Sequence, residues 1–319
     1  MRFFAAIAAA LLGFCAAAHT QAYPTRVIRA VVGFPAGSGG DVVARFYADQ
    51  LAKISGQTVI VEDKPGMISS AGADMVAKSA PDGYTILITP MTSSHAANVF
   101  NFKKLPYDPI KDFSPVATLH KSYFILMVRP EAPWKNVAEL TEAMRQKGSK
   151  ASYGYGSPPA LAAAEFYKAR AGLQAVGIPY KTSMASLSEM FSGELDFQFI
   201  DATAGMPLIE GGKLRGLAIT TAQRAPGIDI PPMAEAANIP EFDIAPIWAV
   251  FLPARTPAPI VAKLEAWFAE IMKSDATRQF LTNSHGAAFP GGAKDLADLI
   301  PKEIEKWGEL AKLAKIVPQ

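Results

Sequence analysis

Short apolar, β-branched runs alternate with amphipathic stretches along most of the chain. "RVIRAVVGF" (26–34) has the continuous apolar character of a buried strand, and 41–55 after it has helical spacing up to Gly56. "TVIVED" (58–63) and "YTILIT" (84–89) predict strands, with a helix over 70–80 between them that stops at "PDG". The Pro-rich, charge-rich segment 101–115 reads as a connecting loop, followed by strands near 116–120 and 123–129. A second series then opens. Helices are predicted at 135–148, 160–170 and 184–192, and strands at 151–155, 175–180, 195–201 and 214–220. Residues 224–242 are Pro-rich again, 247–253 predicts a strand, and helical stretches follow near 258–273, 275–283 and 293–314.

Such alternation predicts an α/β protein with layered helices and a largely parallel sheet. Two Pro-rich passages, each adjoined by strands, predict two chain crossings between two domains. The expected division is 23–122 plus 250–319 for the first domain and 123–249 for an inserted second one. Two domains joined by two strands make a hinged pair with a cleft between them.

Residues 1–22 change the picture of where the chain works. Arg2, the apolar run "FFAAIAAALLGFCAAA" and the polar "HTQA" have the order of a secretory signal peptide cleaved after Ala22. The run is too short to span a bilayer, and Phe14 is too bulky to precede a lipid-modified Cys15. Cys15 is the single cysteine, so the mature chain would carry no disulfide; this fits a bacterial periplasm. Without residues 1–22, 30 basic side chains face 29 acidic ones. That balance argues against nucleic acid as a partner and makes any charge recognition local.

The candidate chemistry centres on "GFPAGSGGD" (33–41), a strand-to-helix turn with three glycines in four positions. At the carboxyl end of a strand, the first N–H groups of the next helix lack intrahelical acceptors and favour an anion. Gly37, Gly39 and Gly40 would let the backbone face a small ligand, and Ser38 adds a hydroxyl. Asp41 reads chiefly as a helix-start acid paired with Arg45 one turn on. A dinucleotide site is disfavoured because Val42 stands where a third glycine is needed, and no Gly-Lys-Ser/Thr follows. Neither a nucleophile elbow nor a His-Glu-x-x-His motif occurs, and His95, His120 and His285 are not spaced for a metal. The reading is therefore a binding protein rather than an enzyme, with no cofactor and no metal.

Several blocks together carry a resemblance: "YPTRVIRAVVGFPAGSGGDVVAR", "VIVEDKPG", "GADMVAKSAPDGYTILI", "KLPYDPIKDFSPVA", "IPYK", "GKLRGLAITTAQR" and "RTPAPIVAKLEAW". The chain resembles the Bug family, periplasmic solute receptors of tripartite tricarboxylate transporters, nearly end to end. The resemblance implies a two-domain, type II periplasmic binding fold that closes on a small organic carboxylate. It also implies delivery to membrane transporter subunits and a monomeric receptor. Family ligands include citrate and other di- and tricarboxylates, acidic amino acids and aromatic acids. The family's first gripping loop maps onto Phe34, Pro35, Ala36, Gly37, Ser38, Gly39 and Asp41. Its loop after the third strand maps onto Thr92, Ser93, Ser94 and His95. Asp201, in "FID", stands where the family has an acid after a strand.

Two departures lie on the second-domain side. "YGYGSPPAL" is shorter than the family's loop, and Thr182-Ser183 replaces Gly-Gly after "PYK". These place Tyr153 or Tyr155, Ser157, Thr182 and Ser183 near the cleft, and predict a ligand bulkier or more aromatic than a four-carbon diacid. The alternatives are a periplasmic sensory receptor for the same ligand class, signalling to a membrane kinase, and a secreted enzyme on the same scaffold.

Overall fold

The computed structural model describes residues 23–180, 183–225 and 227–318. The proposed leader, Thr182 and the side chain of Ser183 lie outside the described residues.

The fold is α/β with two sheets. β1 (Ile28–Val32), β2 (Val59–Asp63), β3 (Thr85–Pro90), β4 (Phe113–Lys121), β10 (Ile247–Pro253) and β11 (Ala287–Gly291) form a six-stranded sheet ordered β11-β4-β10-β3-β1-β2. β5 (Phe124–Val128), β6 (Ser152–Tyr155), β7 (Val176–Pro179), β8 (Phe197–Asp201) and β9 (Arg215–Ile219) form a second one ordered β7-β6-β8-β5-β9. The helices that position the site are α1 (Gly39–Ser55), α2 (Ser70–Ala77), α3 (Pro158–Ala171), α4 (Ala202–Glu210) and α5 (Ala293–Leu313).

Both sheets are mixed, which corrects the expectation of a largely parallel sheet. β1 pairs in parallel with β2 and β3, and β6 with β7 and β8. β10 is antiparallel to both β3 and β4, and β5 to both β8 and β9. The antiparallel pairs arise where the chain crosses. Only residues 122 and 123 separate β4 from β5. The return path reaches β10 beside them, where the Ser122 N–H donates to the Pro246 carbonyl at 3.0 Å.

The register brings one edge of each sheet to a common place. Trp248 at the start of β10 pairs with Pro90 at the end of β3, and Ile247 pairs with Lys121 at the end of β4. In the second sheet, Phe124 at the start of β5 pairs with Asp201 at the end of β8. The carboxyl ends of β1, β3 and β4 therefore share an edge, as do those of β6 and β8.

β11 was not expected, because "AAFPG" contains Pro and Gly. It is an edge strand, the position that tolerates both, and it pairs only with β4. β4 also begins at Phe113, inside the segment read as a loop, and Pro115 fits into it opposite Phe251.

Apolar patterning accounts for the cores. β3 and β10 are buried throughout, as their unbroken apolar runs require. α1 turns Ala44, Tyr47, Ala48 and Leu51 onto the first sheet. Full burial of a side chain such as Leu51 contributes about 1.5–3 kcal/mol. α5 bridges the cores. Leu296 and Ile300 pack with Phe251 of the first sheet, whereas Trp307 and Leu310 pack with Tyr153, Phe197 and Phe199 of the second.

Candidate functional site

A cavity of about 660 Å³ lies between the two sheet edges, within the usual range for a small-molecule site. The first side contributes the turn after β1, Pro65, Gly66, Ile68, Ser69, Pro90, Ser93, His120, Trp248, Phe280, Ser284 and Gly286. The second contributes Phe124, Ser157, Pro158, Pro159, Asp201 and Thr203.

The glycine turn resolves into three different requirements. Gly37 has φ of +77°, which disfavours any residue with a Cβ. A Cβ at Gly40 would meet the Phe34 ring at 2.4 Å. A Cβ at Gly39 would meet nothing within 4 Å, because Gly39 faces the open cavity. Gly39 and Gly40 are the first residues of α1, where N–H groups have no intrahelical acceptor and the dipole favours negative charge.

Asp41 belongs to the turn itself. Its carboxylate accepts from the Gly37 N–H at 2.7 Å and pairs with Arg45 Nε at 2.7 Å, and Arg45 reaches on to Asp63 at 3.1 Å. Burial pushes the Asp41 carboxyl up, but Arg45 and the Gly37 N–H outweigh it and hold the group below the usual range. One of the turn's N–H groups is thus committed to the chain's own acid. Ser38 caps α1, its Oγ accepting from the Asp41 N–H at 3.3 Å.

The segment after β3 forms a wide π-helical turn over Thr92–Ala97. Ser93 lines the cavity, while Thr92, Ser94 and His95 are buried. Thr92 Oγ1 accepts from the Ile247 N–H at 3.3 Å, and Ser94 Oγ meets His95 Nδ1 at 2.8 Å. His95 stacks on Phe251 with centroids 3.9 Å apart, and burial pushes its pKa down to about 3. It is a neutral core residue.

On the second side, Ser157 is the N-cap of α3, with Pro158 and Pro159 opening the helix. Asp201 is the N-cap of α4 and accepts from the Thr203 N–H at 3.0 Å. Burial lifts its carboxyl above the usual carboxylate range, against the lowering effect of Thr203.

Of the residues expected from the sequence, Phe34, Pro35, Ser38, Gly39, Ser93, Ser157 and Asp201 line the cavity together. Ala36 and Gly37 lie on the exposed outer part of the turn. Asp41, Thr92 and Ser94 point into the protein. Tyr155 lines an adjoining cavity that shares Ile68, Ser157 and Pro158 with the cleft. Tyr153 is wholly buried, and its hydroxyl donates to Glu165. Strand alternation puts Tyr153 and Tyr155 on one face, and that face turns to the core beside α3.

Sequence reasoning missed Trp248, Phe280, His120 and Phe124. Trp248 forms a shelf with Phe34, at 5.9 Å between centroids, and with His120, at 5.8 Å and 7° between planes. Burial holds His120 neutral, with its pKa down at about 3, and its Nδ1 meets the Tyr47 hydroxyl at 3.0 Å. For Trp248, His120 and Phe124 the available signal was register, since each lies at the start or end of a strand at the shared edge. Phe280, inside the helix Asp275–Asn283, carried no such signal. Among the described lining residues there is no Lys or Arg. No group of metal-ligating side chains occurs among the described residues, and no described helix is long and apolar enough to cross a membrane.

Comparison with known proteins agrees with this architecture. The sequence profile of the tripartite tricarboxylate transporter family receptor matches residues 43–316. A UPF0065 protein from the tcbD-tcbE intergenic region of Pseudomonas sp. strain P51 is 32% identical over 301 residues, covering 92% of this chain and 88% of that protein. The structure is similar to that of Rhodopseudomonas palustris Rpa4515 with adipate. The TM-score is 0.80 at 31% identity, over 93% of this chain and 100% of that one. It is also similar to MatC (Rpa3494) from Rhodopseudomonas palustris with bound malate. There the TM-score is 0.73 at 28% identity, over 90% and 99% of the two chains. With its blocks, its two-sheet fold and these relatives in agreement, the chain belongs to the tripartite tricarboxylate transporter receptor family, the Bug family of solute-binding proteins.

Proposed function

We propose that this protein is a periplasmic receptor that binds a small organic carboxylate between its two sheets and delivers it to a tripartite tricarboxylate-type membrane transporter. The observation that carries this reading is the start of α1, whose Gly39 opens onto the cavity with no side chain in front of its backbone. An anion there is held by N–H groups, the helix dipole and the hydroxyls of Ser38 and Ser93 rather than by a cation. That two similar proteins were solved with adipate and malate supports a carboxylate as the ligand.

In this reading Phe34, Pro35, Ser38 and Gly39 grip the carboxylate end, while Ser157 and Asp201 face the rest of the molecule. The parts that close are 23–122 plus the chain from 250 to the first half of α5, against 123–249 with the end of α5, whose Trp307 and Leu310 pack in the second core, pivoting on the Ser122–Pro246 crossing. Secretion follows cleavage after Ala22, so mass spectrometry of the exported protein is expected to find Tyr23 at its start.

A thermal-shift screen of mono-, di- and tricarboxylates, followed by calorimetry, tests the function. A ligand at about 100 times its dissociation constant adds about 2.7 kcal/mol of stability, enough to move the midpoint by several degrees. A screen in which no carboxylate moves it would overturn the reading.

A further inference from the structure

The polar groups of the cavity are unevenly placed. Its only described carboxylate, Asp201, comes from the second sheet, and no described lining residue supplies a positive charge. Among the described residues, no Lys, Arg or His pairs with Asp201. Most of the remaining surface is apolar. Phe34, Trp248 and Phe280 stand on the first side, with Phe124, Pro158 and Pro159 opposite. A multiply charged anion fits these walls poorly. One carboxylate can take the N–H groups at Gly39 and Gly40. A second would lie against apolar rings or face Asp201, with no described cation to compensate its lost hydration.

We propose that the ligand is a monocarboxylate with an apolar body along the Phe34–Trp248 shelf and, at its far end, an uncharged or cationic hydrogen-bond donor that Asp201 accepts. The proposal rests on the receptor reading above and narrows it. The two ends of the ligand are distinguished by the two sheets. Backbone donors at the glycine turn select an acceptor, and the carboxylate at the end of β8 selects a donor. Thr203 also reaches across the mouth, its Oγ1 donating to the Ser284 carbonyl at 3.4 Å, which places the Asp201 corner where the two sides meet.

Asp201 also caps α4, so its role in the fold must be separated from recognition. Asn caps a helix about as well as Asp. Asp201→Asn therefore keeps the cap and removes the charge.

The test measures affinities by calorimetry for two scaffolds that differ only at the far end. One series is hexanoate, 6-hydroxyhexanoate, 6-aminohexanoate and adipate. The other is 4-methylbenzoate, 4-(hydroxymethyl)benzoate, 4-(aminomethyl)benzoate and terephthalate. In the wild-type protein, a hydroxyl or amino member is expected to bind at least about tenfold tighter than the diacid of its series. Asp201→Asn is expected to shrink that preference at least about tenfold, with adipate or terephthalate gaining affinity. The proposal is overturned if the diacid binds tightest in the wild-type protein, or if Asp201→Asn leaves the ranking unchanged. It is also overturned if citrate or malate binds while no member of either series does, a result that leaves the receptor function standing. If no carboxylate binds at all, the receptor reading itself fails.

Discussion

The two walls of the cleft are built by different means. The wall on the first sheet is continuous with a core: Trp248 and His120 are both buried and stacked on each other, and Tyr47 beneath them belongs to the packed face of α1. In the proposed binding mode its donors to a ligand are backbone groups of a turn whose shape is fixed by Gly37, Gly40 and the Asp41–Arg45 pair. The wall on the second sheet is made of helix starts. Ser157 and Asp201 are N-caps, held by their own helices and half-open to the cavity. The difference teaches a division of labour. A wall that is also core cannot change without cost to the fold, whereas cap residues can be exchanged for other caps. The first wall is suited to the part of the ligand common to a family, and the second to the part that varies.

The largest expected effect breaks the first wall outright. Trp248→Ala removes a buried ring between Phe34 and His120, and deletions of this kind cost about 3–5 kcal/mol. Urea unfolding is expected to show that loss. A change under about 1 kcal/mol would mean that the shelf is not part of the core.

Next in size is Gly39→Val, which sharpens the comparison by separating binding from folding on the same wall. A Cβ there meets nothing within 4 Å, and Gly39 lines the cavity. Affinity for the carboxylate found by screening is expected to fall at least about a hundredfold, about 2.7 kcal/mol, with the unfolding midpoint nearly unchanged. Retained affinity would show that the turn is only a turn.

A pH dependence comes third. His95 and His120, both on the first side, have pKa values pushed from 6.5 to about 3 by burial. The unfolded chain takes up these protons below about pH 6.5 and the folded one does not. Their contribution is therefore complete above that pH and is lost as pH falls toward 3. The slope approaches about 1.4 kcal/mol per pH unit for each group, which integrates to about 1.6 kcal/mol each between pH 6.5 and 5 because the unfolded histidine is half protonated at the upper end. The urea midpoint is expected to drop between pH 7 and pH 5, and His95→Leu to lessen the drop. A midpoint equal at the two pH values would contradict the burial of both rings.

The smallest effect falls on the second wall. The N-cap bond from the Ala160 N–H to Ser157 Oγ is long, at 3.4 Å. Ser157→Ala is expected to cost under about 1 kcal/mol, while changing which carboxylates bind. A large loss of stability with unaltered ligand preference would erase the distinction between the walls.

The same contrast governs how much could be read from the sequence. The glycine turn was legible because its signals are local: a buried strand, a cap and glycines lie within nine residues. The α/β class and most elements were legible from periodicity, and the Bug-type blocks pointed to the family. What stayed hidden depends on long-range pairing. Trp248 reaches the cleft because β10 runs antiparallel to β3, and β11 exists because the edge beside β4 accepts Pro290 and Gly291. Neither fact is encoded near those residues. Tyr153 shows the same limit. Period-two spacing puts it on the face of Tyr155 but does not say which face turns toward the cleft. Asp41 shows a local ambiguity, since an acid beside a glycine turn can meet a ligand or the turn's own N–H. Here it meets the Gly37 N–H.

The central claim is that backbone N–H groups at the start of α1, without a cation, hold the ligand's carboxylate. Amide proton shifts of Gly37, Gly39 and Gly40, followed by NMR during titration with a carboxylate found by screening, test it most directly. The account predicts large downfield shifts at Gly39 and Gly40, which gain an acceptor, and a much smaller one at Gly37, which already donates to Asp41. Saturation of the protein with the Gly39 and Gly40 amides unmoved would contradict it.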